Sequence, residues 1–265
     1  MNMIENNKIY NEDCRDTMSK MKGKQVDIIL SSPFYNTNDK AGGKRTLGNC
    51  KVKENQYPYV RYDVFADYMT DEQYEKFTLA LFREFNRILS DNGVVLWQIS
   101  YGSKGADALL HLISAITAET DFSCADIISW KKSTCLPNVC SSNKASRIVE
   151  FVFVFCRKKE FFTFNSNKSV VSERKNGQKQ YSCFYNFVEA RNNDGSCSLN
   201  KATYSSELCE KLLSFYAKEG QTVYDPFMGT GTTAVACKRM KLNFIGSEIS
   251  PKQVQYSLER LSKEN

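Results

Sequence analysis

Apolar positions along the chain fall into two alternating rhythms. Short apolar runs at Val26–Leu30, Val94–Ile99, Cys124–Trp130 and Ile148–Phe155 have the length of buried strands. Helical spacing lies between them. Thr70-Asp-Glu-Gln73 has the form of a capping box, and Tyr74, Phe77, Leu81, Phe85 and Ile88 follow at three- and four-residue steps. Asn92-Gly93 predicts a turn into the next strand, and Ala106–Ala118 predicts a second helix. The alternation resumes with a helix at Ser205–Tyr216, a strand at Thr222–Tyr224, a helix at Gly231–Met240 and a strand at Asn243–Gly246. A last helix, Pro251–Leu261, opens on proline. This order predicts an α/β fold: a doubly wound, mostly parallel sheet covered on both faces.

The rhythm lapses between Arg157 and Leu199, where the chain is polar, basic and aromatic without sustained periodicity. Residues 157–199 are therefore the candidate insertion. Residues 1–156 and 200–265 are expected to be the two halves of one domain, which suits a length of 265 residues. No internal repeat interrupts the pattern.

Composition narrows the class. With 42% hydrophobic and 25% charged residues, a disordered or collagen-like chain is excluded. The most apolar run, Ile148–Cys156, is broken by Glu150 and is too short to cross a bilayer. Met1–Tyr10 is polar and unsuited to a signal peptide, so a soluble intracellular protein is expected. Ten cysteines are scattered without a Cys-x-x-Cys pair and there is one histidine, His111, so no metal site is predicted and the thiols are read as reduced and mostly packed. His111, Trp97 and Trp130 are read as surface or core residues.

Charge is informative through its placement. The net charge is +6, yet Asn36–Tyr62, Lys131–Arg147 and Cys156–Lys201 carry +4, +4 and +5, leaving the remainder acidic. Three basic segments interleaved with Tyr, Phe and Asn point to a polyanion such as nucleic acid. The candidate phosphate contacts are Lys40, Lys44, Arg45, Lys131, Lys132, Lys144, Arg147, Arg174 and Lys175.

Two loops carry candidate chemistry. Asp225-Pro226-Phe227-Met228-Gly229-Thr230-Gly231-Thr232-Thr233 reads as a strand end, a glycine turn and a helix start. The glycines allow close approach of backbone to ligand, and the helix offers free N–H groups. Glu248 ends the next strand, where a carboxylate can accept hydrogen bonds from ribose hydroxyls. A P-loop is excluded because no Lys-Ser/Thr follows the glycines. A nicotinamide fold is disfavoured because only about 35 residues remain after the loop. The second loop, Ser31-Ser32-Pro33-Phe34-Tyr35-Asn36, leaves the strand at Val26–Leu30. Tyr35, or failing it Phe34, is placed to stack on a flat base, while Ser32 and the Pro33 carbonyl can accept hydrogen bonds from an amino group. Both loops leave the carboxyl ends of strands and can share one crevice.

Together, in this order, the two motifs resemble the S-adenosylmethionine-dependent DNA amino-methyltransferases of the permuted β group. Asp225–Thr233 is similar to the family's cofactor loop and Glu248 to its ribose-binding acid. Asn200-Lys201-Ala202-Thr203-Tyr204-Ser205 resembles the segment covering the methionine part of the cofactor, giving Lys201 and Thr203 as further candidates. Phe34 stands where the family usually has a second proline, and Ala202 where it often has one. The resemblance implies a circularly permuted, seven-stranded Rossmann-like sheet, with residues 1–156 as the catalytic half, 157–199 as target recognition and 200–265 as the cofactor-binding half.

The implied reaction moves a methyl group to an exocyclic amine of a flipped base in double-stranded DNA, with adenine N6 placed ahead of cytosine N4. Ser32, Pro33, Phe34 and Tyr35 form the implied catalytic group. The short recognition segment leaves room for a homodimer or a partner subunit. The alternatives are an RNA or protein-amide substrate, or an inactive subunit that binds cofactor and DNA.

Overall fold

The computed structural model describes residues 4–36, 69–101, 105–139, 141–195, 197, 199–200 and 202–264. Lys40, Lys44, Arg45 and Lys201, named above as candidates, lie outside the described residues. In chain order the elements begin with β1 (Lys8–Tyr10), α1 (Cys14–Lys20), β2 (Val26–Ser31), α2 (Asp71–Ile88) and β3 (Leu89–Ile99). There follow α3 (Asp107–Glu119), β4 (Phe122–Lys132), β5 (Val149–Arg157), β6 (Val170–Glu173), β7 (Lys179–Tyr181) and β8 (Phe187–Ala190). The chain closes with α4 (Ser206–Tyr216), β9 (Thr222–Asp225), α5 (Thr232–Arg239), β10 (Asn243–Ser247) and α6 (Pro251–Ser262).

Local chemistry explains the boundaries. The capping box forms at α2, where the Gln73 amide donates to Thr70 Oγ1 at 3.2 Å and the Thr70 amide donates to Gln73 Oε1 at 3.0 Å. Ser205 caps α4 and Ser250 caps α6, each accepting from the amide three residues on. Among the described residues, no helix is long and apolar enough to cross a membrane.

The main sheet has the order β1-β10-β9-β2-β3-β5-β4-β8. Its pairings are parallel except at β5, which runs against both β3 and β4. The mostly parallel, doubly wound sheet stands as expected, but among the described residues it has eight strands rather than seven. The two edge strands, β1 and β8, which the apolar pattern does not predict, are too short to show alternation and form through distant partners. β1 pairs Lys8 with Ile245, and β8 pairs Phe187 with Ser129. β8 thus lies inside the stretch read as an insertion, while β6 and β7 form a separate two-stranded ribbon.

Successive strand residues point to opposite faces. Ile29, Val95, Trp97 and Phe155 pack against Met18, Phe82, Phe85 and Ile116 of α1, α2 and α3. Ile28, Leu30, Val94, Leu96 and Val154 pack against Leu208, Leu212, Ala234 and Cys237 of α4 and α5. Trp97 and Trp130 are both core, whereas His111 is exposed beside Glu75.

One buried ion pair joins the layers. Arg157, 4% exposed, donates to the carbonyls of Asn86, Leu89 and Ser90 and to Glu160, itself 7% exposed. It therefore covers the carbonyl end of α2 and is unavailable to an external polyanion. Arg157→Met leaves Glu160 buried and unpaired, and is expected to lower stability in urea unfolding by about 3–5 kcal/mol.

Candidate active site

β2 and β9 are hydrogen-bonded neighbours, with Ile28 opposite Val223 and Ile29 opposite Tyr224. Because they run parallel, their following loops leave the same sheet edge. Ser32 and Phe34 from the first loop, and Phe227, Gly229 and Thr232 from the second, line a single cleft. Thr203 and Glu248 complete the predicted residues on its wall. Asp225, Pro226, Gly231, Thr233 and Pro33 are buried and do not line it, and neither does the half-buried Tyr35.

A buried carboxylate ties the loops together. Asp225 is 1% exposed. It accepts from Ser31 Oγ at 2.6 Å, the Phe227 amide at 3.0 Å, Thr233 Oγ1 at 2.5 Å and the Tyr204 hydroxyl at 3.3 Å. Burial raises its pKa above the ordinary carboxylate value, while the four donors pull the other way. The side chain faces into the protein, so its contribution to the cleft is the shape of both loops.

The glycine turn depends on missing side chains. Gly229 and Gly231 have φ of 55° and 79°, in the left-handed region. Glu248 bridges the turn to α6 by accepting from the Gly229 amide and from the Ser250 amide, both at 2.8 Å. Arg260 supports the other side, donating to the Thr230 carbonyl at 2.9 Å, Thr232 Oγ1 at 3.1 Å and Asp194 Oδ2 at 2.6 Å. Asn200 donates to Gln253 Oε1 at 3.0 Å, and both line the cleft. Sequence reasoning missed Ser31, Asn200, Tyr204, Gln253 and Arg260. Asn200 and Tyr204 lie within the segment Asn200–Ser205 already singled out, which is a usable signal. Gln253 and Arg260 occupy an ordinary amphipathic helix and give none.

The Ser32 loop is held by aromatic packing. Phe34 is 6% exposed, with ring centroids 5.2 Å from Tyr74, 5.6 Å from Phe77 and 5.8 Å from Phe227. Its carbonyl accepts from the Tyr74 hydroxyl at 2.6 Å. A ring packed in this way is not presented to stack on a base, which corrects Phe34 as the second choice of stacking residue. The same packing fixes the backbone where a second proline would otherwise stiffen it. Asn36, at φ 52°, exchanges two hydrogen bonds with the backbone of Met69 and pins the loop to the start of α2.

Behind the loop lies a polar network. Ser32 Oγ and the Tyr35 hydroxyl donate to Gln98 Oε1 at 2.5 and 2.6 Å. Gln98 Nε2 donates to Glu150 Oε2 at 2.7 Å, and Lys132 Nζ pairs with Glu150 Oε1 at 2.7 Å. Tyr35 is half-buried, with its hydroxyl 3.3 Å from the same carboxylate.

The predicted phosphate contacts divide. Lys132 is enclosed with Glu150, their side chains 19% and 17% exposed, so its assignment to an external polyanion is corrected. Lys131 pairs with Glu189 at 2.7 Å. These acids come from neighbouring strands, which a charge count along residues 131–147 does not see. Arg147 lies 4.7 Å over the Tyr101 ring and donates to the Tyr101 carbonyl. Lys144, Arg174 and Lys175 are exposed, the last two at the turn of the β6–β7 ribbon.

Gly231→Ala adds a Cβ 2.7 Å from Ser257 Cβ at a left-handed φ. It is expected to cost about 1–3 kcal/mol in urea unfolding.

The fold has counterparts among solved structures, and the sequence has relatives. The family model N6_N4_Mtase, described as DNA methylase, matches residues 26–259. The type II methyltransferase M.HinfI of Haemophilus influenzae is 25% identical over 259 residues, spanning 96% of this chain and 68% of the relative. Among solved structures, the cytosine-N4-specific PvuII DNA methyltransferase superposes with a TM-score of 0.71 at 15% identity, covering 99% of this chain and 89% of that one. The M1.HpyAVI–SAM complex superposes with a TM-score of 0.59 at 20% identity, covering 96% and 98%. The family match runs from β2 into α6 and takes in both loops of the cleft; the chain belongs to the N6/N4 DNA methylase family.

Proposed function

We propose that the protein methylates an exocyclic amino group in double-stranded DNA, adenine N6 or cytosine N4, using S-adenosylmethionine, and that the β2 and β9 loops are its catalytic and cofactor sides. The supporting observation is that Ser32 and Gly229 line one cleft while the Ser31–Asp225 hydrogen bond locks their loops together.

The residues present fit such a donor. Glu248 offers a carboxylate acceptor for vicinal hydroxyls, Phe227 and Ile249 offer apolar walls for a flat ring, and Gly229 leaves a bare backbone edge. When bound, the cofactor supplies an electrophilic methyl group. The protein's task is to aim an amine whose lone pair is delocalised into its ring. Ser32 Oγ and the Pro33 carbonyl accept the two N–H groups and hold the nitrogen with its lone pair toward the β9 loop, so catalysis rests on positioning and electrostatics. Tyr35 supplies the stacking surface for a base extruded from the duplex.

DNA recognition is assigned to the β6–β7 ribbon within residues 157–199. Its strands are exposed throughout, and Arg174 and Lys175 stand at its turn. A two-stranded ribbon fits the major groove, and exposed basic residues at its tip hold phosphates. The basic segment Asn36–Tyr62, with Lys40, Lys44 and Arg45, is the second proposed contact, and a second copy of the chain the third.

Incubation with labelled S-adenosylmethionine and unmodified duplex DNA, followed by nucleoside mass analysis, is expected to yield an N-methylated adenine or cytosine. Ser32→Ala is expected to lower the rate by about 100-fold. Label in RNA or protein only, or none with cofactor still bound, would overturn the proposal. The Arg174→Ala, Lys175→Ala pair is expected to reduce the slope of log K against log salt by about one for each phosphate that these side chains neutralise. An unchanged slope removes the ribbon from the interface.

A further inference from the structure

Four polar side chains of the site, Ser32, Tyr35, Gln98 and Glu150, stand in a fixed donor-to-acceptor order. Gln98 is 1% exposed on β3, beside the end of β2, where Trp97 is opposite Ser31. Its amide oxygen takes two hydroxyl donors, Ser32 and Tyr35, and its amide nitrogen meets Glu150 Oε2 at 2.7 Å.

A primary amide has nearly the same shape in two orientations, with opposite hydrogen-bonding sense. Flipped, Gln98 would aim its oxygen at the Glu150 carboxylate, two acceptors in contact, and its NH₂ at both hydroxyls. An ionised carboxylate cannot donate, so Glu150 selects the orientation observed. Lys132 on Glu150 Oε1 fixes the second oxygen and offsets its charge at 2.7 Å.

The orientation decides what Ser32 can do. A serine hydroxyl has one proton and two lone pairs. With the proton committed to Gln98 Oε1, the lone pairs are what remains for an incoming amine. With the amide reversed, the hydroxyl would accept from Gln98 and turn its proton outward, opposing an N–H group.

We infer that Gln98 and Glu150 are positioning residues for methyl transfer: Glu150 fixes the Gln98 amide, and Gln98 commits the Ser32 proton so that Ser32 Oγ meets the target amine as an acceptor. The inference rests on the reading that Ser32 binds the amine. It also explains why a charge interrupts the most apolar run of the chain, and why Lys132 is turned inward.

The test is an exchange. Gln98→Glu alone sets two carboxylates against each other, and Glu150→Gln alone removes the group that selects the orientation. Each is expected to lower kcat about tenfold or more, with cofactor and DNA dissociation constants within about twofold of the parent. The double variant Gln98→Glu, Glu150→Gln restores the sense of the bonds from Ser32 and Tyr35 to position 98 and of the bond between positions 98 and 150, because a carboxylate at position 98 accepts from both hydroxyls and an amide at position 150 donates to it. It is expected to recover most of kcat.

Glu150→Gln is also combined with Ser32→Ala, and the pair is expected to be no slower than Ser32→Ala alone. Should Gln98→Glu fail to fold by circular dichroism, this second cycle still decides. Single variants within twofold of parental kcat, multiplicative losses in either double, or losses that follow cofactor affinity would overturn the inference. If Ser32→Ala itself retains activity, the failure lies instead with the role given to Ser32.

Discussion

A buried hydrogen bond from the Ser31 hydroxyl to the Asp225 carboxylate, at 2.6 Å, ties together two loops whose bonded residues are 194 positions apart in the chain. Burial of an acid among neutral donors is costly, and those donors are what make it tolerable. They come from β2, the glycine loop, the start of α5 and the segment before α4. Asp225 therefore acts as a shared anchor for the segments that build the cleft. Parallel pairing of β2 with β9 brings the loops to one edge, and the carboxylate sets their spacing.

The two sides of the cleft are stiffened by different means. On the β9 side, left-handed glycines bend the backbone and Glu248 and Arg260 hold it through polar contacts. On the β2 side, one proline and a cluster of four aromatic rings hold the loop, with Phe34 at the centre. Rigid walls matter here because an amine with a delocalised lone pair reacts only when closely aimed. A loop fixed by tertiary packing can supply that aim as well as one fixed by a second proline.

Much of this was legible in the sequence. The helix at Asp71–Ile88 announced itself by its cap and stripe, and the glycine loop by its spacing. The misses share a cause: they are set by residues distant in the chain. β1 and β8 have three and four residues and gain their strand character from β10 and β4. Phe34 reads as an exposed aromatic until α2 is folded over it. Lys132 and Arg157 count as positive surface until Glu150 and Glu160 are placed beside them. Gln98 sits in a strand read as apolar, and no local pattern marks it as a partner of Ser32.

The most direct measurement is a crystal structure of the protein with S-adenosylhomocysteine and a duplex containing its target site. The expected result is an extruded base whose amino nitrogen lies within hydrogen-bond distance of Ser32 Oγ and the Pro33 carbonyl, with the cofactor against Phe227, Gly229 and Glu248. A cofactor seated outside this cleft, or a target amine directed away from Ser32, would contradict it.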